Sequence, residues 1–205
     1  MKFFGWRMVF TGLTLEFIVV GFLFYSFPVF WPYLISELGM TESQLGMVSA
    51  FYFIPIAILA IVVGRALDKY SVKNFMMIGA VIYAVGLFSL SFINSYWSLL
   101  TIYLTILALG SVMMGNLAVS KLISNWFDKN AGKALGIAAI GISFSGVALP
   151  LIVDPLLDLV GWRNVYVIFA SVVFFIILPL IFFAVIDDPK TVNQVKDGIK
   201  THKEE

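Results

Sequence analysis

The chain has no cysteine and a single histidine, His202, and only 12% of its 205 residues are charged. Without cysteine, it forms no disulfide and no thiolate metal site. It also has no Ser/His/Asp constellation, no phosphate-binding glycine loop and no cluster with metal-ligand spacing, so we expect no enzyme, no metal and no cofactor. Its bases do not form the patch of a nucleic-acid-binding protein, so we expect no nucleic-acid partner.

The chain is instead rich in long apolar runs. Hydrophobic residues make up 61% of it, and its mean hydropathy is +1.00. Several runs approach or exceed the roughly 20 residues that cross a hydrocarbon core, and they are continuous, unlike the alternating strands of a membrane barrel. We therefore predict an all-α polytopic membrane protein with six transmembrane helices. The predicted spans are residues 8–34, 45–63, 75–93, 97–124, 134–160 and 165–186. Residues 1–186 would form the bundle, and 187–205 a flexible polar tail.

Basic residues predict the orientation in the membrane. The sequence has 13 Lys and Arg residues, and all except Arg163 fall on or near the side of the predicted spans that holds the N-terminus. Loops that carry Lys and Arg tend to remain cytoplasmic. We therefore expect an integral protein of the plasma (inner) membrane, in contact with the lipid bilayer, with both termini cytoplasmic.

The spans differ in character. The third and sixth are apolar nearly all round, which favours lipid-facing positions. On the fifth, Ala138, Gly141, Ser145 and Ala148 recur at helical spacing and form a stripe of small residues. Such a stripe lets another helix approach closely, so we interpret it as a packing surface.

A charged loop follows the second span. It contains a glycine, then three residues, an acid followed by a base, and a further base four residues on. These four positions are Gly64, Asp68, Lys69 and Lys73. The pattern resembles the loop between helices 2 and 3 of major facilitator superfamily transporters, although the chain has Ser71 where the family has glycine and Val72 where it often has a base.

Further motifs strengthen this resemblance. Asp158, Gly161, Trp162 and Arg163 are similar to the D-x-x-G-W-R junction between helices 5 and 6 of the family. Residues 125–138 resemble the N-W-F junction of the oxalate/formate antiporter and monocarboxylate transporter branch, as do the residues around the first span. The motifs occur in the expected order and at the expected helix junctions.

The resemblance implies the N-terminal six-helix half of a secondary transporter, built as two inverted three-helix repeats. In a complete member, a second six-helix bundle encloses the substrate, and both move in alternating access. That bundle would come from the same chain, if it is longer, or from another chain. The tail, 187–205, would then be the start of the central linker.

Two differences from proton-coupled drug exporters narrow the expected substrate. The exporters carry an intramembrane arginine in helix 4 where this chain has Ile106, and they have a Gly-Pro pair in helix 5 that is not found here around Gly141 or Gly146. The resemblance therefore favours a small organic anion or monocarboxylate, moved by an antiporter or symporter. The alternative is a six-helix membrane scaffold or regulatory partner that does not transport.

Glu16 is the strongest candidate for a transport residue. It lies nine residues beyond Arg7, which places it about 14 Å into the membrane at 1.5 Å per residue. Inserting a charge there costs about 2.5 to 3.5 kcal/mol. Glu16 is therefore either a protonatable coupling group or cation partner, or a neutral acid that joins the first span to a neighbour.

Neutral polar residues supply further cavity candidates, namely Asn116 and Ser120 on the fourth span and Ser143 on the fifth. They would hydrogen-bond a solute or join helices, a contact worth only about 0.6 kcal/mol. Lys121 would attract an anion or extend to the membrane interface. In the 64–73 loop, the bases would contact anionic lipid, or the loop would act as a cytoplasmic gate; Asp68 favours the gate, because lipid contact needs no acid.

Overall fold

The computed structural model describes residues 3–198, and every regular element within that range is helical. Each of six long helices lies on one predicted span, with ends within about one turn. The helices are α1 (Gly5–Leu38), α2 (Glu42–Leu67), α3 (Val72–Leu90), α4 (Tyr96–Trp126), α5 (Ala131–Val160) and α6 (Trp162–Ala184). Two 3₁₀ turns follow, Pro189–Val192 and Lys196–Gly198. The predicted all-α fold with six spans is confirmed. His202 and the bases Lys2, Lys200 and Lys203 lie outside the described residues.

Local sequence signals set where the helices start and stop. The hydroxyls of Thr41, Ser71 and Ser95 each accept a hydrogen bond from the backbone N–H three residues on, which caps the starts of α2, α3 and α4. Gly39 ends α1 with φ +64°, a left-handed conformation that suits glycine. These caps place the turns between hydrophobic spans.

The small-residue stripe of α5 is a packing surface, as predicted, and the helix that packs against it is α1. A Cβ at Gly141 would lie 2.1 Å from the carbonyl oxygen of Leu13, and one at Gly21 would lie 2.5 Å from Leu149. Ser145 is fully buried in the same contact. The two backbones approach so closely that only small residues fit between them, and this contact fixes the position of α1.

Helix α3 is more buried than its sequence predicts. Its most apolar segment is 44% buried, against 17% for α2 and 28% for α5. Close approach explains the difference, because a Cβ at Gly79 would lie 2.7 Å from Met113 and one at Gly110 would lie 2.7 Å from Tyr83. An apolar helix is equally compatible with lipid and with protein neighbours, so hydropathy does not distinguish them.

Pairwise packing follows the predicted inverted repeats. Helix α1 packs on α5 while α4 packs on α2, and α3 packs on α6. If α1, α2 and α3 are exchanged in order with α4, α5 and α6, the α1–α5 pair becomes the α4–α2 pair and the α3–α6 pair is unchanged. Helices α1 and α4, which correspond in this exchange, contain π-helical turns at Gly21–Tyr25 and Tyr103–Leu107, and α6 contains a third at Val173–Ile177.

Helix α4 has a second irregularity, a break at Gly115. This residue has φ −90° and ψ −144°, so its backbone leaves the helical path. A Cβ at Gly115 would lie 2.6 Å from the carbonyl oxygen of Ser111, which explains why the residue is glycine. The second part of α4, Asn116–Trp126, therefore begins inside the bundle.

Candidate solute-binding site

A cavity of about 490 Å³ lies between α1, α2 and α4, with Ile142 of α5 at its edge. Its walls are mostly apolar and include the rings of Phe24 and Phe53. The polar residues that line it are Glu16, Tyr25, Tyr52, Ser111 and Asn116. None of the described lining residues is Lys, Arg or His. A mostly apolar cavity with a few polar groups is the usual form of a small-molecule site.

Glu16 lies in the wall of this cavity and is only 1% exposed. The side-chain amide of Asn116 interacts with its carboxyl group. Its Oε2 atom has no hydrogen-bond partner within residues 3–198. Because a buried polar atom without a partner is costly, this oxygen is suited to bind a proton or a donor group of a ligand.

The break in α4 places a helix N-terminus beside Glu16. Gly115 is the N-cap residue, and no side chain caps the turn. The first bond within the helix runs from the N–H of Val119 to the carbonyl oxygen of Gly115 at 2.9 Å, so the N–H groups of Asn116, Leu117 and Ala118 have no partner in the helix. Asn116 and Leu117 line the cavity. Such a terminus favours negatively charged or acceptor groups.

A tyrosine that the sequence analysis missed forms another part of the wall. The hydroxyl of Tyr52 donates to Oγ of Ser111 at 2.8 Å, and Ser111 donates to the carbonyl oxygen of Ala108 at 2.9 Å. Both side chains are buried. The available signal was a tyrosine in the middle of an otherwise apolar second span, a position where a hydroxyl needs a partner.

Of the predicted cavity residues, the structure brings Glu16 and Asn116 together and leaves two outside. Ser120 lies about one turn further along α4 and is half-buried, while Ser143 is exposed on α5. Neither lines the cavity.

The predicted gate loop lies at the end of the bundle that holds both described chain ends, here named the terminal end. Asp68 Oδ1 lies 2.6 Å from Lys121 Nζ, so α2 and α4 are joined there. Lys121 thus pairs with an acid of its own bundle. The two side chains are 67% and 33% exposed, and an exposed pair of this kind adds little stability.

The other residues of the gate motif have different surroundings. Lys69 is exposed. The backbone N–H of Lys73 donates to Asp187 Oδ1 at 2.7 Å, and its ammonium group lies 5.0 Å from the centre of the Phe182 ring. A Cβ at Gly64 would be 4.0 Å from Leu117, an ordinary contact, so packing within the described residues does not require glycine there.

The described part of the tail folds against the terminal end, whereas we expected it to be flexible. The side-chain amide of Asn125 donates to the carbonyl oxygen of Asp187 at 3.1 Å. Asp197 accepts hydrogen bonds from the backbone N–H groups of Asp128, Lys129 and Asn130 at 2.9 to 3.1 Å. Partial loss of water raises the pKa of Asp197, but these bonds and one from the Asn130 side chain outweigh it, so the pKa lies below its ordinary value.

The D-x-x-G-W-R motif forms a clasp at the opposite end of the bundle. Glu37 Oε2 accepts from the indole N–H of Trp162 and from Arg163, both at 2.8 Å. The hydroxyl of Tyr33 donates to Asp158 at 2.6 Å. All three bonds join α1 to the α5–α6 junction. Glu37 was missed from sequence, although it is an acid at the end of the first span, on the side where Arg163 is the only base.

Gly161 makes the turn within this clasp. Its φ of +79° and ψ of 154° belong to a region open essentially only to glycine. The turn brings Trp162 and Arg163 back toward α1, and the guanidinium lies 4.0 Å from the centre of the Trp162 ring. The motif residues therefore have a structural role within this bundle.

The sequence pattern of the Major Facilitator Superfamily matches residues 13–204. The chain belongs to this superfamily. Its six membrane-spanning helices and its place in this superfamily make it an integral membrane protein of a transporter family, not an enzyme. The particular branch that the sequence motifs favoured is not established by the match.

Individual members of the superfamily are similar over most of this chain. The MFS-type transporter pynF of Aspergillus niger is 27% identical over 77% of the chain and 36% of its own length. A probable hexose phosphate transport protein of Chlamydia trachomatis is 26% identical over 78% of the chain and 35% of its own length. The chain thus spans about a third of the length of these relatives.

A solved structure supports the fold. The crystal structure of a bacterial homologue of the human lysosomal transporter Spinster, inward-facing and unoccupied, aligns with a TM-score of 0.68 at 15% identity. The alignment covers 97% of this chain and 45% of the other. The bundle described here therefore corresponds in extent to about half of a complete transporter of this fold.

Proposed function

We propose that this chain is the N-terminal six-helix bundle of a secondary active transporter that moves a small organic solute by alternating access. The main support for the proposal is the cavity, because it combines apolar walls with a buried carboxyl group and a helix N-terminus midway along the bundle. Discontinuous helices whose ends point into a central cavity are a recurring way of binding solutes and ions in transporters.

The second bundle would pack against α2 and α5. The most apolar segments of these helices are the least buried of the six, at 17% and 28%. A second bundle on this face would also close the cavity, which α2 borders. It would be supplied by the same chain, if that is longer, or by another chain.

The proposed substrate is an organic anion, with a monocarboxylate as the narrower class. The uncapped N–H groups of the second part of α4 are suited to an anionic group. The probable hexose phosphate transport protein among the relatives is named for an anionic sugar. Since no described lining residue is basic, an anion beside Glu16 would be bound with a proton on the Glu16 carboxyl, which is the proposed coupling group.

The proposed orientation puts the terminal end in the cytoplasm of a cell whose plasma membrane holds the protein. There the motif of Gly64, Asp68, Lys69 and Lys73 would latch the cytoplasmic gate to the second bundle. Support comes from the Asp68–Lys121 pair, which is exposed enough for Asp68 to exchange partners.

Uptake of labelled lactate and acetate into proteoliposomes tests the proposal. The protein is reconstituted alone and together with the second bundle of a superfamily member on a separate chain. We expect saturable uptake that requires a second bundle. No uptake in either preparation, from a protein that unfolds cooperatively, would favour the non-transporting scaffold.

A further inference from the structure

We propose that Ser111 fixes the direction of the Tyr52 hydroxyl and thereby selects a solute with a hydroxyl or N–H donor at that point of the cavity. The inference rests on the proposed function, because it takes the cavity as the solute site. It narrows the substrate class from an organic anion to an organic acid that carries a donor group away from its acidic end.

The direction of the hydrogen-bond chain follows from its last member. The carbonyl oxygen of Ala108 accepts only, so the Ser111 hydroxyl must donate to it. Ser111 has then used its single proton, and Tyr52 must donate its own proton to Ser111 Oγ. The Tyr52 hydroxyl therefore retains only an acceptor position for a ligand.

Because both side chains are buried, the acceptor-only position of the Tyr52 hydroxyl discriminates between solutes. Tyr52 is 7% exposed and Ser111 is 6% exposed, and both line the cavity. Once a solute fills the cavity, water is not there to bridge two acceptors. A solute acceptor placed against Tyr52 would leave both oxygens without a donor, whereas a hydroxyl or N–H group would complete the chain.

The positions of Ser111 and Asn116 define the second feature of the solute. Ser111 lies in the part of α4 before the break at Gly115, and Asn116 begins the part after it. A donor group at Tyr52 and an acidic group at Asn116 would therefore contact different parts of α4. A planar ring that carries these two groups at opposite ends keeps them apart, and the cavity wall contains four aromatic side chains, namely Phe24, Tyr25, Tyr52 and Phe53.

Three probes of one shape test the inference. They are 4-hydroxyphenylacetate, which has acid and donor, 4-methoxyphenylacetate, which has acid and acceptor, and phenylacetate, which has the acid alone. Binding to the purified protein in lipid nanodiscs is measured by isothermal titration calorimetry. We expect the hydroxy compound to bind about tenfold more tightly than the methoxy compound, the effect of one buried hydrogen bond.

Two variants test the role of the hydrogen-bond chain itself. Tyr52→Phe should abolish the preference, because it removes the acceptor. Ser111→Ala should reduce or reverse it, because it frees the Tyr52 proton to bind the methoxy oxygen. Ser143→Ala, on the exposed face of α5 outside the cavity, is the matched control and should retain the preference.

Equal binding of the three probes, no binding of any of them, or an unchanged preference in Ser111→Ala would overturn the inference. Uptake of the same probes, measured with a second bundle present, separates this result from the proposed function. Uptake without a preference for the hydroxy compound would reject the inference, while the proposed transport function would stand. Selective binding without uptake would reject the proposed transport function, while the inference would stand.

Discussion

The middle of the bundle and its two ends use polar residues in opposite ways. At the ends, two acids bind several donors: Glu37 accepts from Trp162 and Arg163, and Asp197 accepts from three backbone N–H groups. In the middle, Glu16 is buried with an oxygen that has no partner within residues 3–198, beside an uncapped helix N-terminus. The paired acids at the ends join neighbouring elements of the bundle, and the unpaired Glu16 oxygen in the middle is available to a solute.

Substitutions in the middle of the bundle and substitutions at its ends should therefore have different consequences. Buried polar groups that lack partners reduce stability, so natural proteins retain them chiefly where they serve a function. Changes in the middle should therefore alter binding or transport without unfolding the protein. Changes in the clasp at one end should lower stability first, whereas a change in the proposed gate at the terminal end should slow transport.

The largest effect is expected from Glu16→Gln. Glutamine keeps the size of the side chain but cannot bind and release a proton, so most of the uptake and its pH dependence should be lost. The unfolding temperature should not fall, because glutamine avoids burying an ionisable acid. Initial uptake rates in proteoliposomes and thermal unfolding in detergent measure the two effects.

Glu37→Gln is the matched control at the end of the bundle. It weakens the bond from the indole N–H of Trp162, a residue only 1% exposed, so it should lower the unfolding temperature slightly and retain more uptake than Glu16→Gln. If Glu16→Gln left transport and its pH dependence unchanged, Glu16 would have only a structural role and the contrast between middle and ends would fail.

The next largest effect is expected from Gly161→Ala in the clasp. A Cβ is strained at φ +79° and ψ 154°, so the free energy of unfolding should fall by about 1 to 3 kcal/mol. Gly136→Ala is the control, since a Cβ at Gly136 meets nothing within 4 Å and alanine favours a helix. Equal stability of the two variants in denaturant titrations would show that the turn does not constrain the clasp.

A smaller effect is expected from Asp68→Asn at the terminal end. The exposed pair with Lys121 contributes little stability, so unfolding should hardly change. Uptake should slow, because the proposed gate loses its acid. Asp154→Asn, an exposed acid near the other end of α5, serves as the control. Wild-type uptake by Asp68→Asn would remove the gate from the proposal.

The smallest effect concerns Asp197 and pH. Because its pKa is lowered from 3.8 in the folded protein, its contribution is present above that value and is lost as pH falls through the folded pKa. Hydrogen exchange at the amides of residues 128–130 should lose protection there, and Asp197→Asn should weaken it already at neutral pH. Asp188→Asn, whose carboxylate accepts from the Lys190 N–H two residues along the chain, should leave it intact. Protection unaffected by pH or by Asp197→Asn would show that the tail is held by other contacts.

Much of the fold was predictable because it depends on local properties. Hydropathy located all six helices, and the spacing of Ala138, Gly141 and Ser145 identified the face of α5 that packs on α1. The burial of α3 was not predictable in the same way. Its Gly79 and Gly86 serve close contacts with α4, but glycines in an apolar helix do not reveal which neighbour they face.

The site was predictable only in part. Glu16 was predictable because it is an acid in the middle of an apolar span, and Asn116 was predictable because it is an amide in the fourth span. Ser120 and Ser143 were chosen on the same reasoning, yet helix rotation turns them away from the cavity. Tyr52 and Ser111 act together although they lie on different helices, and no local pattern indicates such a pair.

The sequence by itself determined that this protein crosses the membrane with six helices and belongs to a transporter superfamily, because hydropathy and junction motifs are properties of contiguous residues. Only the tertiary structure decided which polar groups are satisfied. Pairing depends on helix rotation and on breaks such as Gly115, which bring distant residues within about 3 Å of one another. For that reason Glu37 and Asp197 at the ends of the bundle are paired, and Oε2 of Glu16 in the middle has no partner within the described part of the chain.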